Sequence, residues 1–575
     1  MSAKTETKQS VELVNVQING TWHQFPKGTR MIEAMKKVSV EVPHYCYHRK
    51  LSAPGNCRMC LVEMGMPPRP APGAEPPKPD DDGFLPIQWM PRPVISCSNT
   101  VADNMGIRTE STLVKECRNG VMEFLLANHP LDCPICDQAG ECTLQEFAVG
   151  YGRGGSRFKE QKVKKPKNVQ IGPRIRLDDE RCVLCSRCIR FMEEVEDDPV
   201  LGFTERGSHT LLSVHPDRQL DSNYSLNTAD ICPVGALTSN DFRFQMRVWF
   251  LRETKSIDVN CGTGCNTTIW TRGDQVYRIT PRENNEVNSC WMPDSHRLNF
   301  HYLHSPTRLT QPMVKEGQGH RTAEWGETID TAARELQKFS KDEIAIIASA
   351  RMTNEELFMV RRLAMHLKVK SIDVVPRMAE CDGKLIAADR NPNSEGVRHI
   401  LDIEKPGAKL KTILEDVKAG RIKALVVLGE NLLKEAGFDD EHLDKAEFIV
   451  HQHILANPTA AKADVVLPAA GFAEKRGSMI NVTGRLQRLN KAIPVPGSAR
   501  EDWEILRDFI LALGGGNGLH LLEEVFAAMA AELPIFKDLS LGKIGDQGLQ
   551  LYQTGVTIPL LEKEKERIKN REIPG

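Results

Sequence analysis

The chain has 575 residues, room for three or four domains, and sets 75 Lys and Arg against 77 Asp and Glu. That near-balance gives no general attraction to nucleic acid or to an anionic membrane, and no apolar run reaches the ~18–20 residues needed to span a bilayer. The first residues, MSAKTETKQSVELV, carry neither an apolar leader nor an Arg-rich transit pattern, so we expect a reducing cytoplasm, where sixteen clustered cysteines mean metal or redox chemistry rather than disulfides.

Fifteen of those cysteines fall at or before Cys290, and only Cys381 lies beyond. In chain order, VELVNVQINGTWHQFPKGTRMIEAMKKV predicts strand, Asn-Gly turn, strand and short helix. Cys46, Cys57, Cys60 and Cys97 follow. A hairpin, a helix and then a cysteine loop is the layout of a plant-type ferredoxin. The first gap here is ten residues where the usual spacing has four, so the loop is a variant. Zinc also accepts four cysteines, but the unequal spacing and the flanking elements favour [2Fe–2S]. The Pro-rich, acidic insertion within 65–92 is expected to be a mobile surface segment unable to pack a core.

Next, LVKECRNGVMEFLLANHP predicts an amphipathic helix that ends near His129. The pattern His129-x3-Cys133-x2-Cys136-x5-Cys142 offers three local cysteines to a cube that needs four ligands. On spacing alone, His129 is as well read as a helix-end residue, and Cys117 is the other candidate ligand. In the third group, Cys182, Cys185, Cys188 and Cys232-Pro233 match one half of a two-cluster bacterial ferredoxin, C-x2-C-x2-C-x3-C-P. The second half is erased: Ser222, Ser225 and Thr228 stand where its triplet belongs, and Met192 where the other Cys-Pro begins. One [4Fe–4S] cluster is therefore expected. Arg181, Arg187 and Arg190, interleaved with these ligands, are either potential-raising charges or ordinary surface charges.

A fourth group has Asp258 at the first position of a C-x2-C-x3-C motif, then Cys261 and Cys265, with Cys290 three residues before Pro293. We read it as a remnant without a cluster. Beyond it, the runs 343–349, 424–429, 447–454 and 463–469 predict buried strands that alternate with helices such as 354–368, hence a mostly parallel sheet. No G-x-G-x-x-G fingerprint occurs. The tail LLEKEKERIKNREI is expected to be a charged helix with a solvated face.

This order of motifs resembles the family of the largest peripheral-arm subunit of respiratory complex I, the bacterial NADH-quinone oxidoreductase G-subunit and its 75-kDa iron–sulfur counterpart, bacterial type, over about residues 10–510. DGKLIAADRNPNSEGV and ADVVLPAAGFAEKRGSMINVTGRLQR are similar to that family's C-terminal half. The resemblance implies a multidomain α+β and α/β chain. A β-grasp 2Fe–2S ferredoxin domain would occupy 1–112, and a His/Cys3 4Fe–4S domain 113–152. A half-emptied ferredoxin-like 4Fe–4S domain would occupy 153–250, and a shortened molybdopterin-oxidoreductase-like α/β domain 251–575, without molybdenum cofactor. It implies one [2Fe–2S] cluster on Cys46, Cys57, Cys60 and Cys97. It implies [4Fe–4S] clusters on His129, Cys133, Cys136 and Cys142, and on Cys182, Cys185, Cys188 and Cys232. No residue is assigned a catalytic role. NADH and FMN would sit on a partner subunit, and a second partner would carry the next 4Fe–4S clusters toward quinone. No nucleic acid is expected. The chain would lie at the cytoplasmic face of a bacterial inner membrane, attached only through partners.

Three rivals are weighed against this. A molybdenum formate dehydrogenase needs a cofactor ligand; Cys381 stands near the right place, but Asp382 follows it where that enzyme has histidine. The electron-transfer subunit of an NAD-linked hydrogenase would resemble only the first ~240 residues. A zinc scaffold does not account for the half-erased ferredoxin.

Overall fold

A computed structural model describes residues 12–572 except 71–74, 76, 517 and 571; most of the opening stretch MSAKTETKQSVELV lies outside the described residues. The chain forms two compact units, Met1–Trp249 with Lys563–Gly575, and Phe250–Glu562.

The first unit begins with the hairpin that Asn19-Gly20 dictates. Both residues take positive φ, 49° and 92°, as a two-residue turn matched to strand twist requires. Along Leu13–Ile18, alternate side chains Val14, Val16 and Ile18 turn inward onto Phe25, Met31 and Met35. Leu13–Ile18 pairs antiparallel with Thr21–Pro26 and parallel with Met105–Arg108, and the latter pairs antiparallel with Leu61–Met66. The parallel pair needs a long crossover. The helix Met31–Lys37 and the cysteine loop supply it, which makes the domain a β-grasp.

The expectation of a wholly mobile insertion over 65–92 is corrected at both ends. Gly65 and Met66 belong to a strand, and they pair with Trp89 and Gln88. Phe84 stacks on Trp22 with ring centroids 4.1 Å apart. The apolar residues at the two ends of the insertion have a sheet face to cover.

The helix Thr112–Ala127 starts where Ser111 Oγ accepts from Val114 N at 3.3 Å. It leads to the turn Cys133–Ile135 and the helix Thr143–Tyr151. In the third segment, Ile175–Leu177 pairs antiparallel with Leu237–Ser239, on either side of the helix Arg187–Glu194 in sequence. The erased half-motif is repacked. Met192, Ser225 and Thr228 are fully buried, and Thr228 Oγ1 donates to Ser225 O at 2.7 Å.

The tail expectation is also corrected. From Lys563 on, the helix Pro559–Lys569 belongs to the first unit. Glu564 and Arg567, three residues apart and so on one helix face, are buried. Lys50 Nζ lies 3.0 Å from Glu564, and Arg567 pairs with Glu194. The charges meet partners from far up the chain, so they do not form a solvated face.

The second unit opens with an antiparallel sheet of Arg252–Ile257, Asn266–Arg272 and Gln275–Pro281. Its main sheet has seven strands. Ser371–Val374, Ile344–Ala348, Ala424–Leu428, Phe448–His453 and Val465–Pro468 run parallel, with Met313–Glu316 and Gly319–Thr322 as the antiparallel edge. The parallel strands inside the sheet are buried on both faces. Ile346, Val426 and Val450 pack into one core with the helices Asn354–Leu367 and Asp502–Ala512. Ile347, Val427 and Ile449 pack into another with Leu410–Lys418. Continuous apolar runs are what such strands need.

Candidate metal centres

Cys46, Cys60 and Cys97 are fully buried and Cys57 is half-buried. The loop that carries them curls through left-handed φ at Gly55 (64°) and Arg58 (60°). That turn aims the backbone N–H groups of Asn56 and Cys57 at the Cys46 sulfur. The Cys46 thiol ionises well below its usual range because Cys57, Cys97 and those N–H groups hydrogen-bond its thiolate. Hydrogen bonds to Cys46, with burial, in turn push the Cys57 and Cys97 thiols up. Four converging sulfurs, three of them fully buried, suit shared cations.

His129, Cys133, Cys136 and Cys142 line one cavity of about 130 Å³ with Arg181 and Gly235; Cys117 is not among its lining residues. Burial, reinforced by Lys162 and Arg181, pulls the His129 imidazole down to about 4. It is therefore neutral at physiological pH, with a free lone pair for a metal. Burial raises Cys136 and Cys142. Cys182, Cys185, Cys188 and Cys232 line a second cleft. Its loop also turns through left-handed φ at Leu184 (51°) and Ser186 (59°), and Leu184 N lies 3.4 Å from Cys182 Sγ. Burial raises all four thiols, Cys232 to about 11. An uncompensated thiolate in such a place is costly, so these sulfurs ionise only against a cation. The donor sets thus fit metal–sulfur clusters.

The three groups share one core. Cys46, Cys142 and Cys185 pack with Tyr45, Met59 and Met122 in a single apolar cluster. Tyr45 has its hydroxyl 3.4 Å from Met122 Sδ and its ring edge-on to Phe147 at 5.3 Å. The arginines whose role the sequence left open join the ligand loops. Arg190 Nη2 donates to Cys46 O at 2.5 Å and to Cys185 O at 3.4 Å. Arg187 donates to Tyr47 O at 2.6 Å and Ile231 O at 3.2 Å. Arg181 holds Asp132 at 3.0 Å and donates to Gly235 O at 3.4 Å. Arg181 and Arg190 are buried, so they are not surface charges.

Gly235, three residues after Cys232, lies against the second group. A Cβ there would lie 2.3 Å from Cys136 Sγ and 3.0 Å from Gln138 Cβ. Gly235→Ala should therefore displace the Cys136 sulfur, destabilise the chain by about 1–3 kcal/mol, and alter the low-temperature EPR signal of the second group. An unchanged spectrum would show that the contact is slack.

In the fourth group the structure brings Asp258 and Cys261 together with His296, which the sequence pattern did not single out. The three donor atoms lie within 4.8 Å of one another. Cys265 is buried nearby, and Cys290 and Pro293 are outside the triangle. The only signal in the sequence was a histidine three positions beyond Pro293, in the segment that closes the motif.

Cys381 is exposed. Buried ion pairs lie just beyond the carboxyl ends of parallel strands, in the elements that follow Ile344–Ala348 and Ala424–Leu428. Lys475 lies 2.9 Å from Glu356 and 3.2 Å from Asp502, and Arg377 pairs with Glu430.

Family models match along most of the chain. They are a 2Fe-2S iron-sulfur cluster binding domain (11–112), the NADH-ubiquinone oxidoreductase-G iron-sulfur binding region (118–157), and the NADH-quinone oxidoreductase subunit 3 ferredoxin-like domain (172–238). The NDSU1/NuoG-like 4Fe-4S domain (251–301) and molybdopterin oxidoreductase (369–511) follow. The NADH-quinone oxidoreductase G-subunit of Rickettsia bellii is 30% identical over 93% of this chain and 91% of its own length. The NADH-ubiquinone oxidoreductase 75 kDa subunit of Reclinomonas americana is 30% identical over 86% and 87%. The mitochondrial 78 kDa subunit of Neurospora crassa is 31% identical over 88% and 81%. With three of its cysteine groups gathered around one core and this likeness running nearly end to end, the chain belongs to the family of the NADH-quinone oxidoreductase G-subunit and the mitochondrial 75 kDa subunit.

Proposed function

We propose that this chain is the iron–sulfur electron-transfer subunit of the peripheral arm of a respiratory complex I, conducting electrons from NADH and FMN on a partner subunit toward quinone. Cys46, Cys57, Cys60 and Cys97 hold one [2Fe–2S] cluster. His129, Cys133, Cys136 and Cys142 hold one [4Fe–4S], and Cys182, Cys185, Cys188 and Cys232 another. Clusters bound there supply reversible one-electron carriers. The observation that carries this reading is the single apolar core to which all three ligand groups contribute. Tyr45, Met59, Met122 and their neighbours exclude water and keep the local dielectric low. Buried Arg181 and Arg190 set positive charge beside the ligand loops, which favours the reduced forms and raises the potentials. His129, neutral where the other ligands are thiolates, removes one negative charge from its group.

Partners are the NADH- and FMN-binding subunit and the subunit that carries the next clusters. Exposed Phe124, Leu131, Ile135 and Val149 around the second group suit a protein partner rather than water. Among the described residues no helix is long and apolar enough to cross a membrane; attachment runs through partners, at the cytoplasmic face of a bacterial inner membrane. The formate dehydrogenase reading is not favoured, because Cys381 is exposed and relatives matching nearly the whole chain are named as NADH-quinone oxidoreductase subunits.

Anaerobic reconstitution followed by iron and sulfide counting should give about ten irons per chain. About six would remove a cube from the assignment, and about fourteen would put one on the fourth group. The chain alone should reduce no dye from NADH or formate, and should accept electrons once its flavin-bearing partner is added. Formate-dependent dye reduction would overturn the assignment.

A further inference from the structure

The fourth group no longer has the four cysteines of a cluster motif, yet its donors are closely gathered. Asp258 follows the strand Arg252–Ile257, and Asp258 N donates to Cys265 O at 2.8 Å, closing the loop that carries Cys261. Thr263 Oγ1 donates to Leu385 O at 2.6 Å, and Asn481 Nδ2 donates to Thr263 O at 3.0 Å, so the loop is tied down from two sides. His296 comes from the short turn Asp294–Arg297. Its Nδ1 is 2.7 Å from Asp258 Oδ2. The other carboxylate oxygen, Oδ1, accepts from Asn260 N at 3.1 Å and Asn260 Nδ2 at 2.6 Å. Asn260 thereby fixes the carboxylate's orientation with Oδ2 turned toward His296 and Cys261, as outer partners of metal ligands do. Asp258, Cys261 and His296 are 4%, 0% and 8% exposed.

We propose that Asp258, Cys261 and His296 bind a single divalent transition-metal ion of the zinc class, in place of an iron–sulfur cluster. Three arguments carry this. First, the donor atoms lie within 4.8 Å of one another, close enough to converge on one ion at metal–ligand distances of about 2.0–2.3 Å. Second, ligands to a cube bind separate irons and are held apart by the cluster between them. Among the described residues the three cysteine-rich groups show no such tight triangle of donors, and this group does. Third, a carboxylate, an imidazole and a thiolate form a mixed O/N/S set that suits zinc-class ions and not Mg²⁺ or Ca²⁺, which take oxygen. Such ligands bind a metal in their deprotonated forms, so uptake of the ion competes with protons. Cys265, buried and near enough for its thiol to feel Asp258 and Cys261, lies outside the triangle.

The test uses the cluster-loaded full chain, so that free cluster cysteines do not capture added metal. Elemental analysis should find about one equivalent of zinc beside the cluster iron, and Co²⁺ exchanged for it should give d–d bands and a thiolate-to-cobalt charge-transfer band. Cys261→Ser should abolish the charge-transfer band, and His296→Gln and Asp258→Asn should weaken Co²⁺ binding at least tenfold. All three should leave iron, sulfide and the cluster EPR signals unchanged. Cys265→Ser should keep the charge-transfer band. A wild-type chain that neither carries zinc nor takes up Co²⁺ overturns the proposal even if every variant misfolds. So does additional iron with sulfide lost in Cys261→Ser, or a charge-transfer band lost in Cys265→Ser and kept in Cys261→Ser.

Discussion

His129→Ala should cost the chain its second cluster. The imidazole lines the same cavity as Cys133, Cys136 and Cys142, and burial holds it neutral at physiological pH. Removing it leaves three cysteines around a cube and one iron without a protein ligand. The expected result is a drop of one to about four irons per chain, with loss or conversion of that cluster's EPR signal while the signals of the other two persist. His129→Cys should retain the cube, because a thiolate is a competent ligand, and should shift its potential downward by adding negative charge. Cys117→Ser is the matched control. Cys117 lies on the helix Thr112–Ala127, away from the cavity, and its loss should be spectroscopically silent. If Cys117→Ser loses the cube and His129→Ala keeps it, the fourth ligand is Cys117.

Lys475→Met should destabilise the α/β unit by about 3–5 kcal/mol, the largest stability effect expected of a single residue there. Lys475 is 6% exposed and sits 2.9 Å from Glu356 and 3.2 Å from Asp502, themselves buried. Glu356 also caps its helix by accepting from Thr353 N at 2.8 Å, and Asp502 accepts from Gln452 Nε2 at 2.7 Å. Without the ammonium, two carboxylates face each other in an apolar interior, and one must protonate or the helix ends must part. Denaturant unfolding of the cluster-loaded chain would measure the effect. The double variant Lys475→Met, Glu356→Gln should recover part of the loss, because it removes one of the two unpaired charges. If Lys475→Met costs under about 1 kcal/mol, water reaches the site and the pair behaves as a surface bridge.

The cysteine spacings, the Asn-Gly hairpin and the apolar runs of the parallel strands were legible from the sequence, because each is a local pattern that constrains its own backbone. A triplet spaced as Cys182-x2-Cys185-x2-Cys188 can curl only over a few residues, and a run such as ALVVL needs cover on both faces wherever it lies. Only the tertiary structure decided where the charges go. Arg181, Arg187 and Arg190 were either tuning groups or surface charges until their guanidinium groups were seen joined to carbonyls up to 144 residues away. Glu564 and Arg567 have the spacing of a solvated helix and are buried, because Lys50 and Glu194 meet them from the other end of the chain. His296 offered only its place just beyond Pro293, since its partner Asp258 lies 38 residues earlier. Periodicity records which face of an element is apolar, whereas an ion pair or a metal triangle depends on which distant side chain arrives opposite, and that is set only when the elements pack.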